Sequence, residues 1–193
     1  MSAVEILDEA LRDEAYISTS GGGVTFSGGE PLMHGEFLRE ALSLCKENGL
    51  HTALDTAGNV AWTAFEAVLP YTDLFLYDIK LISEDLHREW TGAGNSLILE
   101  NLSKLCGLDR RIWLRIPVIP GVNCADEMRK IAEFTDSLPS VERVELLPYH
   151  PYGAAKYRLL GLGYDMDGAQ KPSEGFMLDQ AALFQREVKV KNA

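Results

Sequence analysis

Ser20-Gly21-Gly22-Gly23-Val24-Thr25-Phe26-Ser27-Gly28-Gly29-Glu30-Pro31 reads as a glycine-rich lead into a short strand, followed at once by a polar turn. Val24–Phe26 has the β-branched and aromatic residues that suit a pleated, packed surface. In the turn, Gly28 and Gly29 let the main chain approach a ligand closely. Their N–H groups could bind a carboxylate, and Glu30 could accept hydrogen bonds from an ammonium group. Together these suit the two ends of an amino acid. The plain alternative is a glycine turn whose glutamate faces solvent. Two commoner glycine motifs fail: Gly23 and Gly28 have phosphate-loop spacing, but Gly29-Glu30 stands where that loop has Lys-Ser/Thr. No GxGxxG opens a helix after a strand.

Outward from this stretch, apolar strands alternate with amphipathic helices. Upstream, residues 4–13 read as a helix with Val4, Leu7 and Leu11 on one side. Downstream, residues 36–48 place Phe37, Leu38, Ala41, Leu42 and Cys45 on one helical face, with Gly49 to end the helix. Residues 52–54 form a short strand ending at Asp55. Residues 61–69 are helical, and residues 74–79 are nearly all apolar, as in a strand covered on both faces. The spacing predicts a helix over 97–108 and a strand over 112–119, closed by Pro120-Gly121. Asn123 caps a predicted helix through Ser137, residues 141–147 make the last strand, and residues 173–188 make a final helix. Five strands alternating with helices give an α/β fold, mainly parallel, with outer helices and right-handed crossovers. No linker or composition shift divides the chain, so residues 1–193 read as one domain.

The composition narrows the function. The 193 residues are 46% hydrophobic and carry a formal net charge of −11. That charge disfavours non-specific contact with nucleic acid or an anionic membrane. No apolar run reaches the length of about 18 residues that a membrane helix needs. The first residues lack the basic and apolar regions of a signal peptide, so the cytoplasm is expected. The three cysteines, Cys45, Cys106 and Cys124, make no local metal motif. Cys45 and Cys106 read as helix-face core residues. His34, His51, His87 and His150 show no zinc-ligand spacing.

The functional signal is the recurrence of polar groups at strand ends. Ser27-Gly28-Gly29-Glu30 follows the first strand, Asp55-Thr56 the second, and Asp78 with Lys80 the third. Arg115 interrupts the apolar run of the fourth, and His150 follows the fifth. In parallel α/β folds the carboxyl ends of the strands form the active-site face. Asp55 and Asp78 could hold a monovalent cation, orient Lys80 or accept hydrogen bonds from a substrate; either alone could be a loop cap. Arg115 must reach an anion, either a ligand carboxylate or one of the aspartates, because an isolated buried charge costs several kcal/mol, as an order of magnitude. His150 could stack on or hydrogen-bond to an adenine, or belong to a structural loop between Pro148 and Pro151.

Residues 20–31, then Leu54-Asp55-Thr56-Ala57-Gly58, Asp78-Ile79-Lys80, Arg115 with Pro117 and Pro120-Gly121, and Glu145-Leu146-Leu147-Pro148-Tyr149-His150 together resemble the glycyl-radical-enzyme activating family of radical S-adenosylmethionine (SAM) proteins. The motifs keep their order along nearly the whole chain. The resemblance implies a partial (β/α)6 barrel and a [4Fe–4S] cluster held by CxxxCxxC. That cluster binds SAM and cleaves it reductively, giving a radical that takes a hydrogen atom from a glycine of a partner enzyme. The resemblance also implies a flavodoxin- or ferredoxin-type electron donor and an anaerobic metabolism. Carried onto this chain, Ser27, Gly28, Gly29 and Glu30 would hold the methionine end of SAM. Asp55, Thr56 and Asp78 would surround SAM and a Na+ or K+ site, with Leu76 offering its carbonyl. Lys80 would organise the site, Arg115 would lie near SAM, and His150 near its adenosine.

The pattern departs from the family in one respect. The 19 residues before Ser20 contain no cysteine, and Cys45, Cys106 and Cys124 do not reproduce CxxxCxxC. The expectation is therefore a barrel without its first strand, with an exposed sheet edge, which does not bind the cluster in the family manner and is inactive by itself. Such a chain is a truncation, an incomplete gene reading or a remnant. The alternatives are a cluster-free scaffold binding SAM or the partner, and an ordinary α/β enzyme using Glu30, Asp55 or Asp78 in acid–base work.

Overall fold

The computed structural model describes residues 1–151, 159–161, 163, 166 and 169–191. In chain order the elements are α1 (Ala3–Arg12), α2 (Glu14–Ser20), β1 (Val24–Phe26), α3 (Gly35–Glu47), β2 (Thr52–Thr56), α4 (Trp62–Val68), β3 (Leu74–Asp78) and α5 (Glu84–Thr91). They continue with α6 (Ser96–Gly107), β4 (Ile112–Val118), α7 (Asp126–Asp136), β5 (Val141–Pro148), α8 (Glu174–Ala181) and β6 (Val188–Val190). The chain divides into two units, Met1–Asp78 with Asn95–Trp113, and Ile79–Gly94 with Leu114–Ala193.

In the first unit, Ser2 starts α1 with a capping box: its hydroxyl accepts from the Glu5 N–H, and the Glu5 carboxylate accepts from the Ser2 N–H. Strands β1, β2 and β3 run parallel in that order, with Phe26 opposite Leu54, Leu54 opposite Phe75 and Thr56 opposite Tyr77. These residues are buried, as are Leu38, Ala41, Leu42 and Cys45 of α3 at helical spacing. Phe65 of α4 lies with its ring 6.1 Å from that of Phe75 and 6.4 Å from that of Tyr77. Burying such apolar side chains supplies about 1.5–3 kcal/mol each. Asp73 ties the entry to β3 to its surroundings. Its carboxylate accepts from the Thr52 N–H at 2.9 Å and pairs with Lys46 of α3 at 2.7 Å. The ladder continues where the Phe75 N–H donates to the Arg111 carbonyl.

In the second unit, Leu114, Ile116 and Val118 of β4 are buried, while Arg115 and Pro117 point to the opposite, half-buried side. That alternation is the strand period of two. The Ile79 N–H donates to the Arg115 carbonyl, and the Tyr149 N–H to the Val118 carbonyl. Strands β5 and β6 are parallel, with Val144 opposite Val188 and Leu146 opposite Val190. Met128, Ile131, Ala132 and Thr135 make the buried face of α7.

The α/β class and parallel pairing expected from the pattern are present, but six strands are described rather than five. The extra strand, β6, begins at Val188, the last residue of the predicted 173–188 helix. That helix ends at Ala181. Arg186 then fixes the chain by donating to Asp136 at 3.1 Å and to the Val141 carbonyl at 2.9 Å. Val188-Lys189-Val190 has an alternation of two, which suits a strand. Two short helices, α2 and α5, also fall where none was predicted. Asn123 does not cap α7, which begins at Asp126 after Ala125. Cys45 and Cys106 are buried on helices as expected. Among the described residues, no helix is long and apolar enough to cross a membrane.

Candidate functional site

The first unit gathers polar side chains where β1, β2 and β3 end. Gly28 adopts φ +126°, a conformation that L side chains rarely take, and a Cβ added at Gly28 or Gly29 would meet nothing within 4 Å. Gly28 is therefore set by backbone shape, and both glycines leave open space above them. Ser27 donates from its hydroxyl to the Asp55 carboxylate at 2.9 Å. Asp55 is opposite Leu76 in the β2–β3 register, and Asp78 lies two residues beyond Leu76. By strand alternation Asp55, Leu76 and Asp78 share one face of the sheet.

Glu30 fixes the next turn. One of its oxygens accepts from the Thr56 hydroxyl at 2.8 Å and from the Leu32 N–H at 3.2 Å; the other accepts from the Ala57 N–H at 3.0 Å. Thr56 in turn accepts from the Gly58 N–H at 2.9 Å. Asn101 of α6, fully buried, donates to the carbonyls of Gly58 and Val60 at 2.9 and 2.8 Å. Tyr77, also fully buried, donates to the Ile98 carbonyl at 2.7 Å; burial first, and then the Glu30 charge, push its phenol well above the ordinary value. The loop after β2 is thus held by Glu30 on one side and Asn101 on the other. Asn101 was missed by sequence reasoning, since a single Asn on an amphipathic helix looks like a surface or cap residue.

The second unit holds the remaining predicted residues. Lys80 lies two residues beyond β3, and its carbonyl accepts from Asn123 at 3.0 Å. Arg115 stands in the middle of β4, not at its end. His150 is exposed, two residues past β5. The structure therefore joins Ser27 to Asp55 and Glu30 to Thr56 by hydrogen bonds, and sets Leu76 and Asp78 on the face of Asp55.

A four-iron cluster does not fit the ligands described. Cys45 and Cys106 are buried in α3 and α6, and Cys124 is half-buried in the loop before α7. Among the described residues no three His, Cys, Asp or Glu side chains are arranged to hold a metal ion. SAM fits better. The open glycine turn can meet its carboxylate. A carboxylate has about four acceptor sites, and three protein donors reach Glu30. The negative charges of Glu30, Asp55 and Asp78 also suit a ligand carrying a sulfonium and an ammonium group.

The chain belongs to the radical SAM superfamily, whose family profile matches residues 1–135. Within it, the chain is similar to the pyruvate formate-lyase-activating enzyme of Staphylococcus aureus (strain USA300): 40% identical over 177 residues, covering 88% of this chain and 70% of the relative. It also resembles the crystal structure of a domain of pyruvate-formate lyase-activating enzyme from Bacteroides vulgatus ATCC 8482, with a TM-score of 0.74 and 32% identity over 89% of this chain and 99% of that one. Streptococcus suis SuiB bound to S-adenosylmethionine shares the fold at 12% identity, with a TM-score of 0.69 over 100% of this chain and 44% of SuiB.

Proposed function

We propose that this chain carries the SAM-holding part of a glycyl-radical activating enzyme of the pyruvate formate-lyase-activating kind. The observation that carries the reading is the Glu30–Thr56–Ala57 network beside the open Gly28-Gly29 turn, in a chain 40% identical to such an enzyme over most of its length. Ser27, Gly28 and Gly29 would take the methionine carboxylate on main-chain N–H groups, and Glu30 would take the ammonium group. Asp55, fixed by Ser27, and Asp78 would lie near the sulfonium. With the carbonyls of Thr56 and Leu76 they would also suit Na+ or K+. On the same reading Lys80 would organise the site, Arg115 would lie near SAM and His150 near its adenosine. SAM, when reduced by one electron from an iron–sulfur donor, would supply the radical that takes a hydrogen atom from the glycine of a partner glycyl radical enzyme. No step is assigned to cysteines of these 193 residues.

The test is SAM binding followed by amide NMR. Millimolar SAM should shift the Ser27, Gly28 and Gly29 amides of the wild type, and Glu30→Ala should weaken the response by about tenfold or more, equal to roughly 1.4 kcal/mol. A folded wild type with no response at these amides would overturn the reading. The second reading, a cluster-free scaffold that binds SAM, shares the amide response.

A further inference from the structure

We propose that Asn123 and Glu127 are positioning residues that together fix the segment Lys80–Ser83 and so set the placement of Lys80. The proposal rests on the reading above only in treating Lys80 as a site residue. Asn123 is 1% exposed. Its Nδ2 donates to the carbonyls of Lys80 and Pro117, and its Oδ1 accepts from the Ile119 N–H at 2.8 Å. Its amide thus ties the chain after β3 to the end of β4. Four residues on, in the first turn of α7, Glu127 is 4% exposed. One of its oxygens accepts from the N–H groups of Ile82 and Ser83 at 2.6 and 2.7 Å, and the other from the Ser83 hydroxyl at 2.6 Å. Three main-chain groups within four residues are held by two side chains spaced i, i+4.

Two further observations separate this from ordinary packing. Ser83 is the N-cap of α5, yet its hydroxyl does not cap that helix and is given to Glu127. A local preference worth about 1 kcal/mol elsewhere is set aside for a long-range hold. The same segment also walls a cavity of about 290 Å³, lined by Lys80, Leu81, Trp90, Pro117, Ile119 and Asn123 among others. Movement of the segment would change both the cavity and the place of the Lys80 ammonium group. Burial alone would raise the Glu127 carboxyl, but the hydrogen bonds from Ser83 and Ile82, with Lys130 beside it, outweigh that and hold it below its ordinary value of 4.5. Lys130, on α7 itself, donates to Ser83 at 2.7 Å and reaches Glu127 at 3.4 Å.

The experiment needs no ligand. In the wild type, the Ile82 and Ser83 amide protons should titrate together in acid, with an apparent pKa below 4.5; in Glu127→Gln this titration should vanish. At neutral pH the Lys80 13Cε resonance should move in Glu127→Gln and in Asn123→Ala, and return toward its wild-type position in Glu127→Asp. An unmoved Lys80 resonance in the folded variants would overturn the proposal, whatever they do to stability. If a variant does not fold, the wild-type titration still decides: Ile82 and Ser83 amides that do not titrate together overturn it. A wild type that ignores SAM would sink the functional reading instead, and leaves these resonances to judge the clamp.

Discussion

At Gly58 the main chain takes φ +73°, and a Cβ there would collide with the Tyr77 hydroxyl. Both the backbone and the space therefore require glycine. Gly58→Ala should destabilise the protein by about 2–4 kcal/mol, adding left-handed strain to overpacking, and urea unfolding will measure it. Tyr77→Phe keeps the ring and removes only the hydrogen bond to the Ile98 carbonyl. It should cost about 1 kcal/mol. At this scale the sequence was informative where chemistry is carried by residue type: Ser27, Gly28, Gly29, Glu30 and Asp55 stand at strand ends as their spacing suggests. It was silent on Asn101 and Glu127 and took Asn123 for a helix cap, because what marks these three is burial and a partner more than 40 residues away, and neither is visible in local spacing.

Elements held by a single polar side chain respond to its titration or removal. Asp73 joins α3, the start of β2 and the entry to β3. Burial works to raise its carboxyl, but the Lys46 ammonium and the Thr52 N–H outweigh that and lower it from 3.8. A carboxyl lowered on folding stabilises the protein above its unfolded value and loses that contribution as pH falls through the folded one. Asp73→Asn should therefore flatten the acid limb of stability against pH below about 4, as followed by thermal melts. Arg186 does similar work for β6, reaching Asp136 and the carbonyls of Leu138 and Val141. Arg186→Met should cost about 2–3 kcal/mol and expose the β6 amides to hydrogen exchange before those of β5. The predicted helix runs on to Val188, the first residue of β6, because no proline or glycine stops it after Ala181. Only the alternation of Val188-Lys189-Val190 hinted at the change, and three residues are too few for a period to assert itself.

Across the whole chain, parallel pairing and the order of motifs were legible because strand, helix and strand-end polarity repeat together, and the likeness to known activating enzymes follows the same order. Cluster chemistry is a matter of ligands, and no CxxxCxxC occurs in the sequence. Anaerobic reconstitution of the 193-residue chain with iron and sulfide should give no SAM-cleaving [4Fe–4S] centre, measured as 5′-deoxyadenosine release; stoichiometric cluster with product release would contradict this. The two pinned loops also bear on synthesis. The loop at Gly58 waits for Asn101, and the segment at Lys80 waits for Asn123, each 43 residues later. At translation rates of 5–20 residues per second, that is a delay of roughly 2–9 s. Through that interval the Gly58 loop has only its Glu30 side and the Lys80 segment lacks its Asn123 hold, so a ribosome pause just before residue 101 or 123 would prolong the time in which the nascent site is open to chaperones and proteases.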